Sequence, residues 1–167
     1  MIRGIGTDIL RIVRLQELYK KYPSALPKRI LRPNERKQLG LYNQEDKTHS
    51  TKALLYLASI WTAKEAVYKA FTPSRHLTWQ DVELNYKPSD PSLRWTSSQD
   101  IHTSHDQGRT PVLRVFGEDG REDRWEEVHV SLSWDGEYAV AYVVREVEVE
   151  NMTWSGPVET ADDPVVP

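Results

Sequence analysis

The chain has 167 residues, a net charge of −3 and a pI near 6.0. This fits one domain with a real core and gives no reason to expect nucleic acid or an anionic membrane surface as a partner. Zero cysteines exclude disulfides, thiolate metal sites and a cysteine nucleophile, so an ion held here takes oxygen or imidazole ligands, as Mg²⁺ or Mn²⁺ does.

No apolar run reaches the ~18 residues of a membrane span and no secretory signal opens the chain, in keeping with an intracellular protein. Residues 1–10 read as a strand whose period of two puts Gly4, Gly6 and Asp8 on one face and Ile5, Thr7 and Ile9 on the other. Glycine inside a strand weakens it and often marks close approach by a ligand or another backbone. Asp8 then reads either as a cap for the helix that follows or as a ligand beyond that bare floor.

A short helix follows, with Ile12, Leu15, Leu18, Tyr19 and Tyr22 as apolar positions and Pro23 as its stop. Pro27 and Pro33 punctuate the next stretch, and Pro33-Asn34-Glu35-Arg36 opens another short helix anchored by Leu39 and Leu41. Lys28, Arg29, Arg32, Arg36 and Lys37 make this the most basic part of the chain. Such a run is either a solvated face or a docking patch for an acidic partner. Asn43–Ser50 is polar, with Ser50 a candidate cap.

The segment from Thr51 to Phe71 is the organising element. Ala53, Leu54, Leu57, Ala58, Trp61, Ala66, Val67 and Ala70 recur at spacings of three and four, which predicts a helix buried along much of its surface. Lys64, Glu65 and Lys69 stand out against that background. Glu65 and Lys69 share a face, and two readings follow. One is an ordinary surface pair, worth about 0.2–0.5 kcal/mol. The other is a carboxylate and an ammonium aimed into a polar cleft, one for a metal and one for a phosphate.

Pro73 ends the helix, and Ser74–Trp79 forms a basic, partly aromatic loop before a short strand at 81–86. Residues 87–110, rich in Pro, Ser, Asp, Thr and Gln, read as an exposed insertion. Strands are predicted at 111–116, 125–134 and 137–148, with Asp135-Gly136 as a hairpin turn. In the second of these, Val128, Val130, Leu132 and Trp134 share one face, while His129, Ser131 and Ser133 line the other. That polar face is either solvent-facing or functional. The last strand, Tyr138–Val144, is apolar on both faces and needs two covers, the central helix and a neighbouring subunit. The acidic, Pro-rich tail at 151–167 is expected to be disordered. The expected architecture is α+β: one domain over residues 1–150, with a mostly antiparallel sheet packed on a long central helix.

Three segments together resemble a known family. Gly4-Ile-Gly-Thr-Asp-Ile9, Trp61-Thr-Ala-Lys-Glu-Ala-Val-Tyr-Lys-Ala70 and His129-Val-Ser-Leu-Ser133 with Tyr138-Ala-Val-Ala141 are similar, in this order, to the motifs of the 4′-phosphopantetheinyl transferases. The nearest type is the small holo-[acyl-carrier-protein] synthase, which also occurs as small fungal mitochondrial proteins. Gly108-Arg-Thr-Pro-Val-Leu113 adds a Gly-x-Pro-like segment. The resemblance spans roughly residues 2 to 145.

The resemblance implies transfer of 4′-phosphopantetheine from coenzyme A to a serine of an acidic acyl carrier protein, with release of adenosine 3′,5′-bisphosphate. It implies Asp8 and Glu65 as ligands of Mg²⁺ (Mn²⁺ as a substitute), Lys69 on phosphate, and Lys64 as a second phosphate contact. His129 and Ser131 fall in the coenzyme A-binding motif. The serine proton goes to Glu65 or to a metal-bound water. A homotrimer with sites between subunits is implied, as is a mitochondrial matrix location, with the cytoplasm as the alternative. The patch Lys28–Lys37 would steer the carrier. Two positions depart from the family: Ile60 stands in place of an Arg, and Trp134 in place of a His. The loop after the helix also differs, and Arg75 and His76 are expected to compensate in binding coenzyme A phosphates. A non-catalytic relative that binds carrier protein or coenzyme A is the alternative function.

Overall fold

The structure is a computed structural model that describes residues 1–45, 51–88, 109–117 and 124–146. In chain order the elements are β1 (Ile2–Arg11), α1 (Ile12–Lys21), α2 (Ala25–Ile30), α3 (Pro33–Glu45), α4 (Thr51–Phe71), β2 (Val82–Pro88), β3 (Arg109–Phe116), β4 (Trp125–Asp135) and β5 (Tyr138–Glu146). The five strands form one sheet in the order β1-β5-β4-β3-β2, and every pairing among the described residues is antiparallel. The expected α+β architecture is therefore the one observed.

Helix α4 lies across the β1–β5 side of the sheet, and two glycines let it come close. A Cβ built on Gly4 would stand 1.9 Å from Ala70 O, and one on Gly6 would stand 1.9 Å from Ala66 O. No side chain fits in either place, so strand and helix meet backbone to backbone. Gly4 opposite Ala70 and Gly6 opposite Ala66 also show that the two elements run antiparallel. Of the two explanations for bare strand positions, contact with another backbone is the one that applies.

On β5, Ala139, Ala141 and Val143 are buried under α4. Leu57, Ile60, Val67 and Phe71 of α4 meet Leu113 and Val115 in the same core. The other face of the sheet is different. Ile5, Ile9, Tyr138 and Tyr142 are all exposed, Ile9 at 64%. By register Thr7 lies opposite Tyr142, and Tyr142 opposite Ser131, so the polar row of β4 continues this uncovered apolar face.

Several boundaries move. Helix α2 forms around Pro27, which reads as punctuation in the sequence; proline in the first turn of a helix forfeits no intrahelical bond. Lys87 and Pro88 extend β2, and Arg109 and Thr110 extend β3, so both ends of the expected insertion are strand. Residues 89–108, the tail at 151–167 and the candidate cap Ser50 lie outside the described residues.

Candidate active site

Asp8 follows Gly4 and Gly6 on the face of β1 that carries α4. The antiparallel seam sets it beside the helix turn that bears Glu65 and Lys69. Lys69 Nζ donates to Asp8 Oδ1 at 2.8 Å and to Thr7 O at 2.7 Å. Asp8 is mostly enclosed, with its side chain 16% exposed, while that of Lys69 is 53% exposed. The Glu65 carboxyl is held above the ordinary carboxylate range, first by desolvation and then by the charge of Asp8, with Lys69 opposing both. Two carboxylates and one ammonium thus converge within range of one another's charge.

This geometry decides one of the sequence alternatives. Asp8 does not cap α1: β1 continues to Arg11, which is the N-cap residue and makes no side-chain cap bond. The helix ammonium reaches across the seam to the strand, so it does more than pair along its own helix surface.

Lys64 is not brought to the site, contrary to its expected phosphate role. It is fully buried and bonded to Glu35 Oε2, Ile30 O and Trp79 O. The reason lies in the helix period, since residue 64 continues the buried line of Leu57, Ile60, Val67 and Phe71. Ile60, which stands where the family has an Arg, has no exposure and packs in the core.

His129 and Ser131 are exposed on the sheet face opposite α4, His129 Nε2 lying 3.5 Å from Glu146 Oε2. Within one chain they therefore stand apart from Asp8, Glu65 and Lys69. Arg75 and His76 lie on the segment that leaves α4. Arg75 N–H donates to Phe71 O at 3.0 Å, and the His76 side chain is exposed. Trp134 is 46% exposed near the turn between β4 and β5.

Two supporting residues escaped the sequence reading. Glu35, a buried acid in the first turn of α3, is the partner of Lys64. Arg145 grips Glu126 with two bonds of 2.7 and 3.0 Å, lies 3.9 Å above the Phe71 ring and donates to Ser74 Oγ, which fixes the C-terminal end of α4. An acid at the third position of a helix is a visible signal for Glu35, whereas nothing in the sequence marks Arg145.

Two clefts, of about 220 and 320 Å³, flank Glu83 and Asn34, but Asp8, Glu65 and Lys69 line neither. Among the described residues no group of three or more His, Asp or Glu side chains is arranged to hold a metal. Asp8 and Glu65 offer two carboxylates, and further ligands would have to come from solvent or substrate.

Seam and cluster together set two carboxylates and one ammonium side by side at the edge of the sheet. The chain belongs to the 4′-phosphopantetheinyl transferase superfamily, whose model matches residues 4–143. Among curated relatives it is 32% identical to the holo-[acyl-carrier-protein] synthase of Geobacillus kaustophilus, over 87% of this chain and 90% of that one. Among solved structures it is similar to the holo-[acyl-carrier-protein] synthase of Neisseria meningitidis, with 26% identity and a TM-score of 0.60 over 88% of this chain and all of that one. It is also similar to a holo-(acyl-carrier-protein) synthase from Bacillus anthracis, in complex with CoA (3′,5′-ADP). That match has 27% identity and a TM-score of 0.57, over 86% of this chain and 96% of that one.

Proposed function

We propose that this protein is a holo-[acyl-carrier-protein] synthase, moving 4′-phosphopantetheine from coenzyme A to a serine of an acyl carrier protein. The observation that carries this reading is the convergence of Asp8, Glu65 and Lys69 across the β1–α4 seam in a chain of this superfamily. The serine Oγ attacks the phosphorus nearest pantetheine. The bond from that phosphorus to the bridging oxygen breaks, and adenosine 3′,5′-bisphosphate leaves.

Lys69, already a double donor at the edge of β1, is placed to turn a hydrogen to a phosphate oxygen. Glu65, or a solvent molecule beside it, takes the serine proton. Mutual repulsion of Asp8 and Glu65 suits a hard divalent cation, so these two would hold Mg²⁺, which when bound neutralises charge on the pyrophosphate.

The uncovered face with Ile5, Ile9 and Tyr142 supports assembly into a homotrimer. In such an assembly His129 and Ser131 of one copy would approach the carboxylates of the next. The exposed Lys28, Arg29 and Lys37 support docking of an acidic carrier on the 28–37 segment.

Intact mass of an apo carrier protein after incubation with this protein, coenzyme A and Mg²⁺ tests the reading. A gain of one phosphopantetheine that disappears with EDTA or in Glu65→Ala is the expected result. No gain, with coenzyme A or carrier still bound, would favour a non-catalytic binding module. The Trp134 departure would then be the first position to examine.

A further inference from the structure

Lys64 directly precedes Glu65, yet its side chain runs the other way, into the core. Its ammonium donates to Glu35 Oε2 at 2.7 Å, Ile30 O at 2.8 Å and Trp79 O at 3.0 Å, which uses all three hydrogens. Glu35 is equally committed. Its Oε2 also accepts from Arg32 N at 2.7 Å, and its Oε1 from Leu84 N at 2.9 Å. One buried pair thus ties α4 to the end of α2, the first turn of α3, the segment before β2, and β2 itself.

Stability alone does not call for such a pair. Removing two charges from water costs several kcal/mol per ion, and an apolar pair of similar volume often does as well or better. Helix α4 is already rich in buried apolar contacts through Leu57, Ile60, Val67 and Phe71. The ion pair adds direction. Apolar side chains can repack when a helix turns or slides, but hydrogen bonds to fixed carbonyls and a fixed carboxylate cannot follow. The opposite side of the helix rests on bare backbone at Gly4 and Gly6, and the tie across that seam comes from Lys69, whose side chain is half exposed and bends more freely than the buried Lys64. Successive residues on a helix stand about 100° apart, so the rotation set at 64 determines where Glu65 points.

We propose that Lys64, anchored by Glu35, is a positioning residue for the transfer reaction: it holds α4 at the rotation that presents Glu65 to Asp8. This rests on the roles of Asp8 and Glu65 given above.

The test compares the parent with Lys64→Met/Glu35→Gln, which removes both charges while keeping volume, and with Glu35→Gln alone. Binding of Mn²⁺ alone is followed by electron paramagnetic resonance, beside kcat, the KM for coenzyme A and thermal unfolding. The double variant is expected to stay folded with KM changed less than about twofold, while kcat and Mn²⁺ affinity each fall about 10- to 100-fold. Glu35→Gln is expected to shift both in the same direction by about 3- to 10-fold. A folded double variant with kcat and Mn²⁺ affinity within about twofold of the parent overturns the proposal. So does a loss of kcat matched by an equal loss of coenzyme A binding, because that marks general loosening. Should the double variant not fold, Glu35→Gln decides by the same criteria. A parent that makes no holo carrier would overturn the transferase reading instead, and the Mn²⁺ comparison, which needs no carrier, would still decide the positioning role.

Discussion

Asp8 and Lys69 are 61 positions apart in the chain and 2.8 Å apart in the fold. The pair is half exposed on the lysine side, so solvent screens it and its share of stability is small, about 0–1 kcal/mol. Its place at the site makes the opposite prediction for catalysis. Lys69→Ala should melt close to the parent but lose about 10²- to 10³-fold in kcat/KM, measured by steady-state transfer to apo carrier.

Gly6→Ala should do both kinds of damage. The added Cβ would stand 1.9 Å from Ala66 O, so β1 or α4 has to move. Overpacking of this kind costs about 1–3 kcal/mol or more, and the same movement separates Asp8 from Glu65. Urea unfolding and transfer rate measured on one preparation should fall together, in contrast to Lys69→Ala.

The Lys64–Glu35 pair gives a prediction with a pH sign. Burial raises the carboxyl of Glu35 and lowers the ammonium of Lys64, each opposed by the partner's charge. In Lys64→Met the acid loses its counter-charge, which should raise its folded pKa further, and the loss at neutral pH should be about 3–5 kcal/mol. A carboxyl whose pKa is raised on folding stabilises below its unfolded pKa, and that contribution disappears as pH rises through the folded pKa. The variant should therefore recover part of its melting temperature as pH is lowered from neutral towards the ordinary glutamate range. A melting deficit relative to the parent that stays flat over that range would contradict this.

Ile9→Glu tests the open sheet face. Ile9 is 64% exposed, so the substitution should leave the isolated fold intact. In a subunit interface the same carboxylate would be buried without a partner. Sedimentation velocity should show the assembly shifted to monomer, and transfer activity should fall although Asp8, Glu65 and Lys69 are unchanged.

Arg145→Met removes the grip on Glu126 and the guanidinium above Phe71. The expected loss is about 1–2 kcal/mol, summed from a partly buried ion pair and a ring contact. Chemical denaturation checks the magnitude, and hydrogen exchange should localise the loosening to the end of α4.

Much of this architecture is legible in the sequence because it follows from period. The alternation at 1–10 places Asp8 beside the glycines, and the three-four spacing from Thr51 to Phe71 marks α4. Period also held a warning about Lys64. It falls on the line of Leu57, Ile60, Val67 and Phe71, although as one of two adjacent charges it looks like a solvent-side residue. Its burial depends on Glu35, which the fold brings from 29 positions upstream, and local pattern cannot supply such a partner. The cap reading of Asp8 failed for a related reason, since pairing with β5 carries the strand on to Arg11. His129 and Ser131 illustrate a third limit. Their sequence motif is clear, but the face they occupy is fixed by sheet register, and it is turned away from α4.

The sheet order has a consequence for how the protein comes into being. Strand β1 finds its hydrogen-bonding partner in β5, with Ile2 opposite Glu146, so the first strand made must wait for the last one described. Contacts of such long sequence separation form late and slow the folding of the whole. A chain interrupted before β5 has Asp8 and Glu65 but no sheet to hold β1 against α4. Synthesis through β5 is then a precondition for the site, and copies that stop before it are expected to be inert towards substrate.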